Sequence, residues 1–593
     1  MIKFFKGSVF ERSLLLLFGT GLIIFYGFFY NQHLYQKEQL QLFEVTFQYF
    51  ITRLSHHGGL ADWFGEFFIQ FFHLPFAGAV IMTLLFLLLQ AITKKILQKT
   101  CILKPLILFS FLPAIGYLLI LPDDYYSVSG VFGLLLSLLA ALIYSGIEKP
   151  RVRSLAGILL LPVVYWLDGG AYLIYTLIII ISELLFRFSR KDLQTPVKIA
   201  VLFIYLILAI FVPLIAREFI FKDTLLQAYL SESYYKIRIF FPLPLLLIFI
   251  SFPVFIIIQQ FIPDKLSDNK PGALNIISAF ILFALVAWGV TKFSDFKAER
   301  RIAYENLVYK EAWEKIIERA EREHPSDRFS MIAVNLALAK TGELSSKMFS
   351  FDQGKDRLFA DYERRGMTSF IAGEPYYHLG LYNFAQMFAM ETIESTPDTK
   401  FPSRSFKRVA ETFIINGQYD IALKYLEPLS HTLFHRKWAK ECMLLIKDGN
   451  KITAQPYWSS LRDIKSDYDF YYNYNQQDIA LKYLLISNPG NKTAFEYLMA
   501  FYLLQKDFDG FLAYLPLADK LNYNGLPIAW QEAAAYISTR VSQLPVQLAN
   551  YSISADVINN IKSYAQQYSG SRPDTMKMYK EFGNTYWYYL HFK

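Results

Sequence analysis

A chain of 593 residues that is 54% hydrophobic, 17% aromatic and only 19% charged is too long for one compact core and too apolar for an ordinary water-soluble protein. Its net charge of +8 comes largely from short Lys/Arg clusters between apolar runs, the pattern of membrane topology rather than of a nucleic-acid-binding face, so no nucleic-acid partner is expected. Cys101 and Cys442 fall in different halves, which excludes a disulfide framework and a cysteine-based zinc site.

The first apolar run, from Ser13 to about Tyr30, follows Lys3, Lys6 and Arg12 without a clear small-residue cleavage site, so it reads as an uncleaved signal anchor. Runs long enough to cross ~30 Å of hydrocarbon follow near 75–93, 105–122, 128–147, 154–168, 171–186, 197–216, 239–262 and 274–292, giving about nine crossings. Only Asp168, Gly169 and Gly170 separate 154–168 from 171–186, and a re-entrant hairpin is the alternative for that pair. Basic residues are retained on the cytoplasmic side of bacterial membranes. Lys3/Lys6/Arg12, Lys94/Lys95/Lys99/Lys104, Lys149/Arg151/Arg153, Arg187/Arg190/Lys191/Lys198 and Lys265/Lys270 mark one side, against Lys37, Arg53, Arg217, Lys222, Lys236 and Arg238 on the other, with Lys292, Lys297, Arg300 and Arg301 at or just after the end of the last span. The N-terminus is therefore expected inside, and nine crossings carry the C-terminal domain into the periplasm of a bacterial inner membrane. Few ionisable residues fall near mid-span; Glu183 and Arg187, four apart near a cytoplasmic end, are expected to pair along one helix face.

The connection between the first two spans, 31–74, does not read as a passive linker. Phe43, Phe47, Tyr49, Phe50, Trp63, Phe64, Phe67, Phe68, Phe71 and Phe72 recur largely at helical spacing, as in interfacial helices lying on a bilayer. Between them stands His56-His57-Gly58-Gly59, followed by Asp62 and Glu66, whose spacing of four puts both carboxylates on one helix face. The external ends of later spans add Asp123 with Asp124, then Asp168, then Arg217 with Glu218. Brought together, these ends would make an acidic outer-face pocket in which Asp62 or Glu66 acts as base, Asp123, Asp124 and His57 hold a divalent cation, and Arg217 meets a phosphate. Acids at span ends also commonly just face water, and an arginine there commonly reaches for headgroups.

From about Phe293 the long apolar runs give way to helix-period patterns with charged faces. The heptapeptide Asp-Ile-Ala-Leu-Lys-Tyr-Leu occurs twice, at Asp420–Leu426 and Asp478–Leu484. Upstream of the first copy, Val409, Ala410, Phe413 and Ile414 form an apolar stripe that ends in the turn Asn416–Tyr419, so the segment reads as helix, turn, helix. Small alanines at the crossing and aromatic packing residues resemble tetratricopeptide repeats, as do Trp313–Pro325 with Ile332–Gly342 and Ala494–Leu517 with its turn at Lys506–Asp509. The copies lie at an offset that is not a multiple of the tetratricopeptide period, so an irregular array is expected. Tyr419, Tyr425 and Tyr483 are expected to pack between helices, and the aromatic end Thr585–Lys593 to cap the array or rest at a membrane interface.

The long external first loop with interfacial helices and acids resembles the membrane glycosyltransferases of the C-type fold. That resemblance implies a polyprenyl-phosphate-linked sugar donor, a catalytic carboxylate at Asp62 or Glu66, and a second acidic pair at Asp123 and Asp124. Separately, Arg53–Leu60 continuing through Phe67–Phe72 to Pro75 resembles a signature of an uncharacterised family of bacterial inner-membrane proteins, which implies envelope location without supplying a reaction. Walker, Rossmann, HExxH and GxSxG motifs are absent from the sequence.

The expectation is thus an all-α protein: a polytopic membrane domain over 1–292 with interfacial helices in 31–74, a juxtamembrane connection over 293–325, and a soluble tetratricopeptide-like domain over 326–593. Two functions compete. The preferred one is an envelope protein whose periplasmic domain binds a protein or glycan partner; the alternative is a lipid-linked glycosyltransferase, with a divalent cation as its only cofactor.

Overall fold

The computed structural model describes residues 7–100, 107–123, 126–186, 195–230, 243–261, 271–360, 366–396, 400–468, 476–523, 525–569 and 574–593. Among these residues every regular element is helical. The chain forms two compact units: one is Met1–Glu299 with Lys400 and His431–Leu433, the other Arg300–Thr396, Phe401–Ser430 and Phe434–Lys593.

The first unit comprises α1 (Gly7–Ile24), α2 (Asn31–Gln39), α3 (Phe47–Leu54), α4 (Gly59–Ile69), α5 (Ala77–Thr100), α6 (Ile107–Ile120), α7 (Ser129–Gly146), α8 (Pro150–Asp168), α9 (Tyr172–Ile181), α10 (Thr195–Ala216), α11 (Leu225–Tyr229), α12 (Leu243–Phe261) and α13 (Pro271–Phe293). Five helical stretches among the described residues are long and apolar enough to cross a membrane: Phe10–Phe29, Ala77–Lys99, Ser129–Gly146, Pro150–Leu184 and Pro196–Phe221. A sixth arises if Ala279–Phe293 and Phe296–Tyr309, bent by 60°, count as one span. Five to six is fewer than the nine runs in the sequence, for two reasons. The runs at 154–168 and 171–186 fall within one apolar stretch, Pro150–Leu184, although the chain turns back at the 3-10 turn Gly169–Ala171 and brings Arg153 within 2.7 Å of Glu183. The runs near 105–122 and 239–262 contribute the shorter helices Phe109–Ile120 and Leu243–Phe255.

Packing is dense where these helices meet. Phe86, Leu89, Phe111, Ala114, Ile115, Val131, Leu134 and Leu138 are wholly buried. Gly116 brings α6 against α12 so closely that an added Cβ would lie 2.5 Å from Ile248 Cγ1, a small-residue crossing of the sort apolar helices use. In contrast, α10 leaves Ile199, Phe203, Leu206 and Ile210 exposed, an apolar stripe compatible with lipid. Glu183 has two partners that its helical spacing did not suggest. Its carboxylate accepts from Arg153 Nε at 2.7 Å and from the Tyr144 hydroxyl at 2.8 Å, whereas Arg187 lies outside the described residues.

In the second unit, helices pack on their chain neighbours in succession: Gly366–Leu379 on Tyr382–Ser395, then Ser403–Ile415, Tyr419–Ser430 and Arg436–Lys447. The reason is local. Ser403–Ile415 and Tyr419–Ser430 each carry an apolar stripe, and the turn between them is closed by Gly417 at φ 75°, a left-handed conformation that favours glycine. The two heptapeptides both lie on helices, Tyr419–Ser430 and Gln477–Ser487, and bury the same positions, Ala422 with Leu426 and Ala480 with Leu484. Lys506 and Asp507 form a turn between Lys492–Gln505 and Phe508–Tyr514, with Lys506 left-handed and the Asp507 carboxylate accepting from Gly510 N–H.

Candidate functional site

Among the described residues chemistry-bearing side chains gather at several places, including a buried ion cluster in the second unit where Glu374 meets Arg404 at 2.7 Å and Arg408 at 2.8 Å. Two of these places, one in each unit, bear on function. The first lies on α3 and α4. Gly58 at φ 74° starts α4, and a Cβ at Gly59 would collide with the Arg53 carbonyl oxygen, so the two glycines after His56 and His57 permit the tight turn between the helices. The Gly58 N–H donates to the Trp166 carbonyl, and Trp166 Nε1 donates to the Leu54 carbonyl, tying this turn to the end of α8. Along α4, Ala61, Gly65, Glu66 and Ile69 are buried, and Gly65 lies flush against Ser129 at the start of α7.

That geometry puts Asp62 and Glu66 in one buried cluster. Tyr49 donates its hydroxyl to Glu66 Oε2 at 2.6 Å, Arg53 Nε stands 3.1 Å from the same oxygen, and Arg53 also donates to the Tyr49 hydroxyl. Lys400 completes the set, with Nζ 3.5 Å from Asp62 Oδ1 and 3.6 Å from Glu66 Oε1. Glu66 is 1% and Lys400 2% exposed, so this is an interior ion cluster of two carboxylates and two cations. Phe43 shields it, its ring in edge contact with Tyr49, Trp63 and Phe67. Burial in this aromatic shell pushes the Tyr49 hydroxyl well up, reinforced by the neighbouring Glu66 charge. Burial works against the Arg53 cation, but Glu66, Tyr49 and Asp62 outweigh it and hold the guanidinium more firmly charged than usual.

The other residues singled out in the sequence sit apart from that cluster or at its margin. His57 stacks on Tyr165 at 5.4 Å, with Nε2 3.2 Å from the Gln227 carbonyl and Nδ1 3.3 Å from Asp223. Burial lowers its affinity for a proton, opposed by Asp223, by the Gln227 carbonyl and by Asp62. Arg217 donates Nε to the Asp223 carbonyl at 2.9 Å, so His57 and Arg217 converge on one residue that sequence reasoning did not single out. The Asp123 carbonyl accepts from Lys37 Nζ, and Asp168 is buried and bonded to the Ser137 hydroxyl. Asp124 lies outside the described residues. Among the described residues, no three His, Cys, Asp or Glu side chains are grouped as ligands for a metal ion.

The second place is an open cleft of about 310 Å³ in the second unit. One wall is the aromatic C-terminal segment that the sequence left between two fates. Helix Tyr586–Phe592 is built into this unit, with Tyr586 and Trp587 wholly buried and Tyr588 and Tyr589 facing the cleft. Glu532 fixes the start of that helix by accepting from Tyr586 N–H at 2.7 Å. Opposite stand His324–Ser326 and Phe349–Gln353, where Gln353 is locked by a reciprocal pair of bonds to Asn335 and a third to the Met348 carbonyl. Asp352 and Lys593 pair at 2.6 Å within the lining, and Tyr579 stands 59% exposed.

No curated protein and no solved structure matches this chain. A family model does, over residues 8–593, which is nearly the whole sequence. Several long apolar helices joined to a second helical unit are therefore features of a chain that belongs to the family of unknown function DUF6057.

Proposed function

We propose that the chain is a bacterial inner-membrane protein of about nine crossings, with its N-terminus in the cytoplasm, that presents a periplasmic tetratricopeptide-like domain for binding a protein or glycan partner in the cell envelope. The observation that carries this reading is where open space lies. The acids of the first external connection are engaged by Arg53 and Lys400 in an interior cluster, whereas the second unit holds an open, aromatic-lined cleft of a size that suits a small ligand. The matched burial of Ala422/Leu426 and Ala480/Leu484 supports the repeat reading, and the alternation of basic clusters supports the orientation.

One observation favours the alternative of a C-type glycosyltransferase: Asp62 and Glu66 meet within 3.6 Å of a single ammonium. In that reading Asp123, Asp124 and His57 hold a divalent cation and Arg217 meets the donor phosphate. A carboxylate held by two cations must then exchange those partners for substrate before it can act as a base.

Two measurements decide between them. Leu444, 67% exposed in the second unit, is changed to cysteine in a Cys101→Ser, Cys442→Ser background and labelled with a membrane-impermeant maleimide. Labelling before inner-membrane lysis is expected, and labelling only after lysis overturns the orientation. Ser350→Trp, which fills the cleft, is expected to reproduce the envelope phenotype of a deletion strain while Asp62→Asn does not. If Asp62→Asn alone reproduces it at normal protein level, transfer chemistry replaces the binding reading.

A further inference from the structure

We infer that the cleft in the second unit is a subsite for a short, uncharged oligosaccharide. The inference rests on the binding reading above and names its ligand.

Three features of the lining point to this class. Aromatic side chains from separate segments, Phe349, Tyr579, Tyr588 and Tyr589, form its apolar part. Their rings are not coplanar: Tyr579 and Tyr588 lie 5.8 Å apart and inclined at 58°, and Phe349 and Tyr589 are 5.4 Å apart at 38°. Phe349, Tyr588 and Tyr589 are nearly buried and pack on their neighbours, so the ring open to the cleft is that of Tyr579, and a single exposed aromatic face suits the C–H side of a sugar ring. Hydroxyls come from Ser326, in a connecting segment, and from Ser350, at the end of a 3-10 turn, and these suit a ligand dense in hydroxyls.

Charge excludes the other obvious ligands. Asp352 and Lys593 neutralise each other, so the lining carries no excess charge to recognise a phosphate, a nucleotide or an acidic peptide. The same pair sets an acceptor and a donor side by side, the arrangement that vicinal hydroxyls satisfy. At about 310 Å³ the space lies at the low end for ligand sites, which suits a short ligand.

The test is saturation-transfer difference NMR on the full-length protein in lipid nanodiscs. The probes are maltotriose, cellotriose and N,N′-diacetylchitobiose, with a set of neutral hexapeptides run in parallel. Transfer to the ring protons of at least one oligosaccharide is expected. Tyr579→Ala should weaken that binding roughly tenfold, the effect of losing ~1.4 kcal/mol of contact. Ile486→Ala, 62% exposed and outside the cleft, should leave it unchanged. If no oligosaccharide responds but a hexapeptide does, and Tyr579→Ala removes that response, the glycan inference falls while the cleft remains a partner site. If neither class responds, both readings fall.

Discussion

The two gathering places use polar residues in opposite ways. Around Glu66 every charge is turned inward: two carboxylates, a guanidinium, an ammonium and a phenol lie within hydrogen-bond or ion-pair distance of one another under an aromatic cover. In the cleft of the second unit, Asp352, Lys593, Ser350 and Tyr579 remain accessible, and the buried part of the lining is held by bonds made behind it, such as those of Gln353 and Glu532. A group of charges is therefore a poor guide to function by itself. What separates a structural cluster from a ligand site is whether its polar groups remain open to solvent, as the paired Asp352 and Lys593 do and Glu66 and Lys400 do not.

The sharpest way to break that contrast is to remove one member of the inward cluster. Glu66→Ala leaves Arg53, Lys400 and Tyr49 facing an empty acceptor position, and loss of one partner from a buried ion pair costs about 3–5 kcal/mol. Thermal unfolding of the detergent-solubilised protein should show it. A variant as stable as the parent would mean that the cluster is hydrated and available, which would favour the catalytic reading.

A second prediction concerns the support behind the cleft. Burial pushes the Glu532 carboxyl from 4.5 up to about 7, against the opposing effect of the Tyr586 N–H. The fold thus favours the neutral acid, so the contribution of this group is fully present below about 4.5 and is lost as pH rises through about 7. The loss should reach ~3 kcal/mol by about pH 8. Melting curves of Glu532→Gln, compared with the parent between pH 5 and 8, should lack that part of the slope.

Gly380 offers a smaller and purely local effect. It sits at φ 100°, and an added Cβ would land on the Ile464 carbonyl oxygen. Gly380→Ala should destabilise the second unit by about 1–3 kcal/mol from backbone strain, measured by the same unfolding assay. The smallest stability effect belongs to the residue with the largest predicted role in binding. Tyr579→Ala should change stability by less than about 0.5 kcal/mol while weakening oligosaccharide binding roughly tenfold, and a large loss of stability would make Tyr579 structural.

How far the sequence carried depends on whether a partner is near or distant in the chain. Of the tyrosines expected to pack between helices, Tyr425 does so on neighbours set by local spacing, 5.7 Å from Phe413 and 5.3 Å from Phe406. Tyr49 and Arg53, four apart on α3, were readable as a pair in the same way. Asp223 was not, because nothing in the segment around it shows that His57 and Arg217 will both reach it. The turn between the runs at 154–168 and 171–186 is of the same distant kind, since hydropathy registers apolar length but not that Arg153 and Glu183 will meet across it.

What the sequence determined alone was the helical character throughout, the concentration of long apolar segments in the first half, and the shared face of Asp62 and Glu66. Each follows from periodicity and composition within a few turns of helix. Tertiary structure decided what those acids meet. Lys400 lies hundreds of positions along the chain from Glu66, and only the path of the backbone brings its ammonium within 3.6 Å. The cleft is of the same kind, built from His324, Phe349, Tyr579 and Lys593, residues that carry no common motif and become a site only when separate helices and loops close around one space.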